Sequence, residues 1–121
     1  MQEPSPLLGP DDPAPVERLP GDPRCPLVLV CDHGGRAVPA GLDGLGLDPE
    51  VMARHIAWDP GAAALTRELA QALGAPAVIS RYSRLVVDCN RHPGEPSAVP
   101  AESDGIPVPA NRGLDAAGRR R

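Results

Sequence analysis

The prolines of this chain leave one continuous stretch in which regular strands and helices can form. Seventeen of the 121 residues are proline, and residues 1–26 are especially rich in them, with only scattered apolar residues between. Such a segment buries too little surface to offset the entropy lost on ordering it, so we predict a disordered leader over residues 1–26. Residues 92–113 are also rich in proline, glycine and serine. The compact part is therefore predicted to run from Leu27 to Arg91.

The charge and cysteine content argue against several classes of protein. A net charge of −4 gives no basic field for nucleic acid. No apolar run approaches the ~20 residues that cross a bilayer, and the first residues lack the pattern of a signal peptide, so no membrane partner is expected. The three cysteines show no CxxC spacing, which favours free thiols and a cytoplasmic location. Cys31 and Cys89 are interpreted as structural thiols rather than nucleophiles, because both fall in apolar strand contexts.

Strand and helix signals alternate between residues 27 and 91. Asp-Pro pairs predict two helix starts, at Asp48 and at Asp59, and Gly74 predicts the end of the second helix. Three short apolar runs predict strands at Leu27–Cys31, Ala77–Ser80 and Leu85–Asp88. This order predicts an α/β fold with a mixed, mostly parallel sheet and flanking helices, in which ligands collect at the carboxyl ends of the strands.

The second predicted helix carries an apolar stripe along one side. Its members are Ala62, Leu65, Leu69, Ala72 and Leu73. The predicted strands are apolar on both faces, whereas only two helices are available to cover them. We therefore expect some apolar surface of the sheet to remain bare, which favours association or loss of structure.

Three residues are candidate metal ligands. His33 follows the first predicted strand in a glycine-bearing turn, where backbone and ligand can approach closely, although a turn histidine facing water fits the pattern as well. His55 and Asp59 lie four residues apart and would share a face of one continuous helix, which suits a pair of zinc ligands. Spacing alone favours a simpler interpretation, in which Asp59 caps a helix and His55 packs against the core.

The stretch SRLVVDCNR, residues 83–91, places two arginines around a predicted strand end. Arg84 and Arg91 could converge on one carboxylate through bidentate, charge-assisted bonds, with Asn90 adding an amide. Asp88 could hold one guanidinium in position. An exposed ion pair between Asp88 and either arginine explains the same residues and would contribute little stability. The residues alone leave both interpretations open.

Several segments, taken in order, resemble the N-formylglutamate amidohydrolase family: CDHGGRAVP, LGL, RHIAWDPGAAALTRELAQALGAPAVISRYSRLVVDCNR and IPVPANRGL. The resemblance runs from about Leu27 to Leu114. It implies a fold similar to that of zinc carboxypeptidases and aspartoacylases, with zinc as cofactor. It also implies hydrolysis of a small N-formyl or N-acyl amino acid such as N-formyl-L-glutamate, which gives formate and the amino acid.

The resemblance also implies roles for the candidate residues. His33 falls on the family's metal-binding histidine, and His55 and Asp59 fall in its HIAWD signature. In aspartoacylase-like relatives an arginine and an Asp-x-Asn-Arg motif hold the substrate carboxylate, which favours substrate binding by Arg84, Asp88, Asn90 and Arg91. Carboxypeptidase relatives carry a glutamate ligand three residues after the first histidine. This chain has Arg36 there, so the second ligand would come from His55 or Asp59.

Length sets a further expectation. Family members are roughly twice as long as this chain, so we expect residues 27–121 to be the N-terminal portion of such a domain. A further metal histidine and the acidic general base are then expected beyond Arg121, and the chain alone is expected to be inactive. The alternative is a non-catalytic module that binds a small carboxylate or phosphate through its arginines.

Overall fold

A three-stranded mixed sheet organises residues 16–80 in the computed structural model, which describes residues 7–121. Its strands are β1 (Val16–Leu19), β2 (Leu29–Cys31) and β3 (Ala77–Ser80), in the order β1-β3-β2. β2 runs parallel to β3, with Leu29 opposite Ala77, whereas β1 runs antiparallel to β3. The predicted α/β class with a mixed sheet is confirmed.

Two helices lie between β2 and β3 in sequence. They are α1 (Pro49–Met52) and α2 (Ala62–Leu73). α2 packs on one face of the sheet, where Ala63 contacts the cluster of Cys31 and Ile79. It ends as predicted at Gly74, which has a left-handed φ of 62°. Within residues 7–121, no helix has both the length and the apolar character needed to cross a membrane.

A second core lies beside the sheet and includes residues from the carboxyl-terminal part. Beyond residue 95 the chain forms short 3-10 turns and a small hairpin of β4 (Glu102–Ser103) and β5 (Ile106–Pro107). Val108 is fully buried in this core, so the prediction that the compact part ends at Arg91 is wrong. The buried members of the core are Leu45, Met52, Ile56, Ala57, Leu85, Val86 and Val108.

The prediction that residues 1–26 form a disordered leader is wrong for the second half of this segment. The four residues between Pro15 and Pro20 form β1, because β3 offers them a free edge to pair with. The hydroxyl of Tyr82 donates to the carbonyl oxygen of Pro13 at 2.6 Å and fixes the approach to β1. Residues 1–6, which belong to the same prediction, lie outside the described residues.

The predicted strand at Leu85–Asp88 is also wrong, since Leu85 and Val86 form a turn and the next two residues have no regular structure. Ser83 explains the difference. Its hydroxyl oxygen accepts a hydrogen bond from the amide of Leu85 at 3.1 Å, and its carbonyl oxygen accepts one from the amide of Val86. A serine side chain that bonds to the backbone two residues ahead favours a turn over a strand. Leu85 and Val86 are nevertheless buried.

The helix predictions need two corrections. α1 ends at Met52, so His55 and Asp59 do not share a face of one helix, and Gly61 rather than Asp59 precedes the first residue of α2. The apolar stripe of α2 does not face the sheet either. Small alanines allow the helix to approach the strands closely, and the residues of α2 that are buried are Ala63 and Ala70. The leucines of the stripe are therefore left on an exposed flank.

Candidate functional site

His33 lies in a tight turn directly after β2 and is buried. The turn can form only with glycine at position 35, because a Cβ there would lie 2.1 Å from the carbonyl oxygen of Arg81. The amide of Ala37 then donates to that same oxygen at 3.1 Å. These contacts hold the turn against the end of β3 and fix where the imidazole of His33 points.

Asp88 is the centre of the hydrogen-bond network around His33. Its Oδ1 lies 2.7 Å from His33 Nε2 and accepts a hydrogen bond from the amide of Asn90 at 2.9 Å. Its Oδ2 accepts a hydrogen bond from Arg84 Nη2 at 3.2 Å. Asp88 is only 5% exposed, so this is a buried network and not the surface ion pair that the sequence left open.

The environment of Asp88 keeps its carboxylate charged. Burial alone would raise the pKa of Asp88, but the hydrogen bonds from His33 and from the amide of Asn90, with the nearby charge of Arg84, outweigh it and lower the pKa below its ordinary value. In the neutral tautomer of His33 that carries its proton on Nε2, the ring donates that proton to the ionised Asp88. The other ring nitrogen, Nδ1, is then left with a free lone pair.

Asp59 lies on the Nδ1 side of His33. Its amide donates to the carbonyl oxygen of His33 at 2.8 Å, and its Oδ2 lies 3.5 Å from His33 Nδ1. Arg84 Nη1 lies 3.7 Å from Asp59 Oδ1, so the guanidinium reaches both carboxylates of the site. The side chain of Asp59 is about half exposed, which makes this side of His33 accessible from solvent.

The pair of His33 Nδ1 and Asp59 Oδ2 fits part of a zinc ligand set. Imidazole nitrogen and carboxylate oxygen both bind zinc at about 2.1 Å, and two tetrahedral ligands at that distance lie roughly 3.4 Å apart. The observed separation of 3.5 Å matches this value. A catalytic zinc uses about three protein ligands, however, and residues 7–121 contain no group of three or more His, Cys, Asp or Glu side chains placed for a metal.

His55 does not join this cluster. Its side chain is 70% exposed, and the carboxylate it approaches is that of Asp104, at 3.9 Å. Because α1 ends before His55, the chain turns and presents the side chain to solvent. Of the two residues that the sequence offered as a second ligand, only Asp59 is therefore placed beside His33.

The predicted arginine cluster is divided between two places. Arg84 forms ion pairs with the two carboxylates beside His33. Arg91, in contrast, is exposed and donates to the carbonyl oxygen of Asn90 at 3.1 Å. Asp88 and Arg91 both line an open cavity of about 920 Å³. The cavity therefore lies next to the residue that holds His33.

Three residues at the carboxyl-terminal end also line this cavity and were not among the candidates predicted from the sequence. Arg119, Arg120 and Arg121 line it, and three consecutive arginines were the only signal in the sequence. Arg121 Nη1 donates to Asn111 Oδ1 at 2.7 Å, which anchors Arg121 to a buried residue. Four arginines therefore line the cavity, and arginine is the side chain best suited to bind an anion. Arg119 and Arg121 already donate to oxygen atoms of the protein.

Cys89 also lines the cavity but does not have the properties of a nucleophile. Burial, together with the carboxylates of Asp32 and Asp88, raises the pKa of its thiol. Its sulfur lies 3.2 Å from the carbonyl oxygen of Asp32. A thiol held in the protonated form is a poor nucleophile. Cys89 is exposed and lies in a turn, however, so the strand context expected for it from the sequence is wrong.

Comparison with known proteins identifies the family. The model of the family described as N-formylglutamate amidohydrolase matches residues 25–121, which is most of the chain. The chain belongs to the N-formylglutamate amidohydrolase family. The match begins just before β2 and includes His33, Asp59 and Asp88. The whole candidate site therefore lies within the residues that match the N-formylglutamate amidohydrolase family.

A solved structure supports the same assignment. The gene product Atu2144 from Agrobacterium tumefaciens is 39% identical to this chain and superposes with a TM-score of 0.84. The match covers 93% of this chain and 45% of that protein, so the chain spans less than half the length of this structural relative. No curated protein matches the chain. The N-formylglutamate amidohydrolase family is a family of hydrolases, and the chain is one of its members.

Proposed function

We propose that this chain carries part of a metal-dependent site that hydrolyses the amide bond of an N-formyl or N-acyl amino acid. N-formyl-L-glutamate is the proposed substrate, and formate and the free amino acid are the proposed products. The observation that carries the proposal is the buried bond of His33 Nε2 to Asp88, which leaves Nδ1 directed towards Asp59. We also propose that the mixed sheet belongs to a fold like that of zinc carboxypeptidases and that the protein acts in the cytoplasm, where its free cysteines stay reduced.

In this proposal His33 and Asp59 hold the metal, and Asp88 positions His33. A bound divalent metal such as zinc would polarise the amide carbonyl and lower the pKa of a bound water. Asp88 keeps the imidazole in one tautomer and one orientation and raises its basicity as a ligand. Arg84 lies between the two carboxylates, so it reduces their mutual repulsion and limits the movement of Asp59.

Arg91 is the proposed contact for the substrate carboxylate. Arg84 already donates to Asp88 and lies near Asp59, so its guanidinium has fewer donors left for a ligand. Arg91 has an exposed fork at the edge of the cavity, and Asn90 lies next to it with an exposed side chain. A bidentate bond from Arg91 would fix the direction of the amino acid as well as its affinity.

Neither of the two carboxylates that contact His33 is free to act as the general base. Asp88 is buried and fully hydrogen-bonded, and Asp59 is assigned to the metal in this proposal. A water nucleophile needs a base within hydrogen-bond reach to take its proton. We therefore expect the 121-residue chain to bind zinc and substrate but to release no formate by itself.

Binding of N-formyl-L-glutamate to the zinc-loaded chain tests the proposal. We expect calorimetry to show that the acid binds more tightly than its α-amide. Arg91→Lys keeps the charge but loses the fork, so it should weaken binding of the acid on the order of 10-fold and bring the two affinities together. Arg54→Lys changes an exposed arginine outside the site and should leave both affinities unchanged. Equal discrimination by wild type and Arg91→Lys would overturn the assignment of Arg91.

A non-catalytic anion-binding module is the second candidate, and the four arginines that line the cavity favour it. The two functions differ in their dependence on metal. Under the hydrolase proposal, His33→Ala or removal of zinc with a chelator weakens binding of N-formyl-L-glutamate. If inorganic phosphate competes for the same cavity and neither treatment changes the affinity, the module is the correct function.

A further inference from the structure

Ser83 is fully buried, and its hydrogen bonds join three segments of the chain. Its amide donates to the carbonyl oxygen of Ala37 at 2.9 Å, and its hydroxyl donates to the carbonyl oxygen of Ala57 at 2.7 Å. The hydroxyl oxygen also accepts a hydrogen bond from the amide of Leu85 at 3.1 Å. The hydroxyl therefore uses its single donor and one of its acceptor positions inside the protein.

Each of the three segments joined by Ser83 carries part of the candidate site. The segments are 33–37, 57–59 and 83–88, and their site residues are His33, Asp59 and the pair of Arg84 and Asp88. The amide and the hydroxyl of Ser83 are separated by only a few covalent bonds, so the residue fixes how closely the first two segments approach each other. The third segment is held in place because it begins with Ser83 itself.

The carbonyl group of Ala57 is the point at which the segment that carries Asp59 is held. Its oxygen accepts two hydrogen bonds, from the hydroxyl of Ser83 at 2.7 Å and from the amide of Arg84 at 3.2 Å. Two residues further along, the amide of Asp59 donates to the carbonyl oxygen of His33 at 2.8 Å. The segment is thus fixed at both ends, and without the Ser83 hydroxyl only the longer bond from Arg84 remains at residue 57.

We infer that Ser83 is a positioning residue for the metal pair, because its hydroxyl sets the separation of His33 Nδ1 and Asp59 Oδ2. The inference rests on the proposed function, in which these two atoms bind the metal. The side chain of Asp59 is about half exposed, so its backbone must be held if the separation is to stay near 3.5 Å. A site whose ligands are held at the required distance spends less binding energy on ordering them. If Ser83 served only to form the turn at Leu85, it would not affect this separation.

Ser83→Ala, with Tyr82→Phe as the matched control, tests the inference in a zinc titration that follows the Nδ1 resonance of His33. Each substitution removes one hydroxyl that donates to a backbone carbonyl oxygen, at 2.7 Å from Ser83 and at 2.6 Å from Tyr82. The carbonyl that Tyr82 reaches belongs to Pro13, which lies outside the three segments. We expect Ser83→Ala to raise the zinc concentration required on the order of 10-fold and Tyr82→Phe to leave it unchanged, although both substitutions lower stability.

Hydrogen exchange of the metal-free chain gives a second measurement. In Ser83→Ala the segment 57–59 opens more often, so the amide of Asp59 should exchange about 10-fold faster relative to the amide of Asp22. The amide of Asp22 donates to the carbonyl oxygen of Gly74 at 2.8 Å, away from the three segments, and therefore reports the stability of the rest of the chain. Tyr82→Phe should leave the ratio of the two exchange rates unchanged.

Equal zinc affinities and equal exchange ratios in wild type, Ser83→Ala and Tyr82→Phe would overturn the inference and confine Ser83 to the turn at Leu85. Failure of the proposed function gives a different pattern. His33 of wild type then does not respond to zinc, whereas Ser83→Ala still accelerates the exchange of Asp59. In that case the metal site is wrong, and Ser83 positions Asp59 against His33 for another purpose.

If Ser83→Ala does not fold, zinc added to wild type decides the question. The amide of Arg84 donates to the carbonyl oxygen of Ala57, so its exchange should slow more than that of Asp22 when a metal fixes the segment 57–59. Equal slowing of the two amides would show that the contact with Ala57 is not coupled to the metal pair, and the inference would be wrong.

Discussion

Asp88→Ala is expected to lower the free energy of unfolding by about 3 kcal/mol, because removal of one partner leaves a buried polar network incomplete. His33 Nε2 loses its carboxylate at 2.7 Å, the amide of Asn90 loses its acceptor, and Arg84 keeps only its longer contact with Asp59. Chemical denaturation at neutral pH measures the effect. Glu68→Ala, at an exposed position of α2, is the matched control and should change stability by less than about 0.5 kcal/mol.

The same pair of proteins gives a pH test. The pKa of Asp88 is lower in the folded chain than its ordinary value of 3.8. Its contribution is therefore complete above that ordinary value and is lost as the pH falls through the lower, folded pKa. The stability difference between wild type and Asp88→Ala should thus shrink as the pH falls below that ordinary value. A difference that stays constant down to pH 2 would show that the charge of Asp88 does not matter.

Asn111→Ala is expected to lower the free energy of unfolding by about 3 kcal/mol as well. Asn111 is 2% exposed, and its amide donates to the carbonyl oxygens of Leu85 at 2.6 Å and Pro100 at 2.9 Å. Alanine leaves these buried oxygens unpaired, at about 1–3 kcal/mol each, although some water can enter the space. Because Arg121 donates to Asn111 Oδ1, the substitution should also loosen Arg121, which lines the cavity.

Asn90→Ala is the control for Asn111→Ala. It makes the same chemical change on an exposed side chain, so thermal unfolding should be nearly unchanged. If the two substitutions have equal effects, Asn111 does not connect the turn at Leu85 to the carboxyl-terminal segment.

The sequence predicted the parts of the fold that depend on local patterns. β2 and β3 are short, mainly apolar runs, and the end of α2 needs a left-handed residue that Gly74 supplies. β1 was missed because its strand exists only through pairing with β3, and four residues between prolines carry little signal of their own. The turn at Leu85 was missed because an apolar run suggests a strand, whereas the hydroxyl of Ser83 decides the local geometry.

The site was predictable in its types of residue but not in its grouping. The turn after β2 indicated His33, and the sequence also suggested that Asp88 could hold an arginine. The bond between His33 and Asp88 joins residues 55 positions apart, so no local spacing could reveal it. The helical spacing of His55 and Asp59 suggested a ligand pair that the end of α1 at Met52 separates. Long-range packing, and not local propensity, decides which ligands meet.

A zinc titration followed by the nitrogen resonances of the imidazoles tests the central claim, that Asp88 orients His33 so that Nδ1 and Asp59 bind a metal. The chain has only three histidines, His33, His55 and His92, so each ring can be followed separately. We expect zinc to shift Nδ1 of His33 at lower concentrations than the rings of His55 and His92. Asp59→Ala should raise the zinc concentration required on the order of 10-fold. A titration in which His55 or His92 responds first, with His33 unchanged, would contradict the claim.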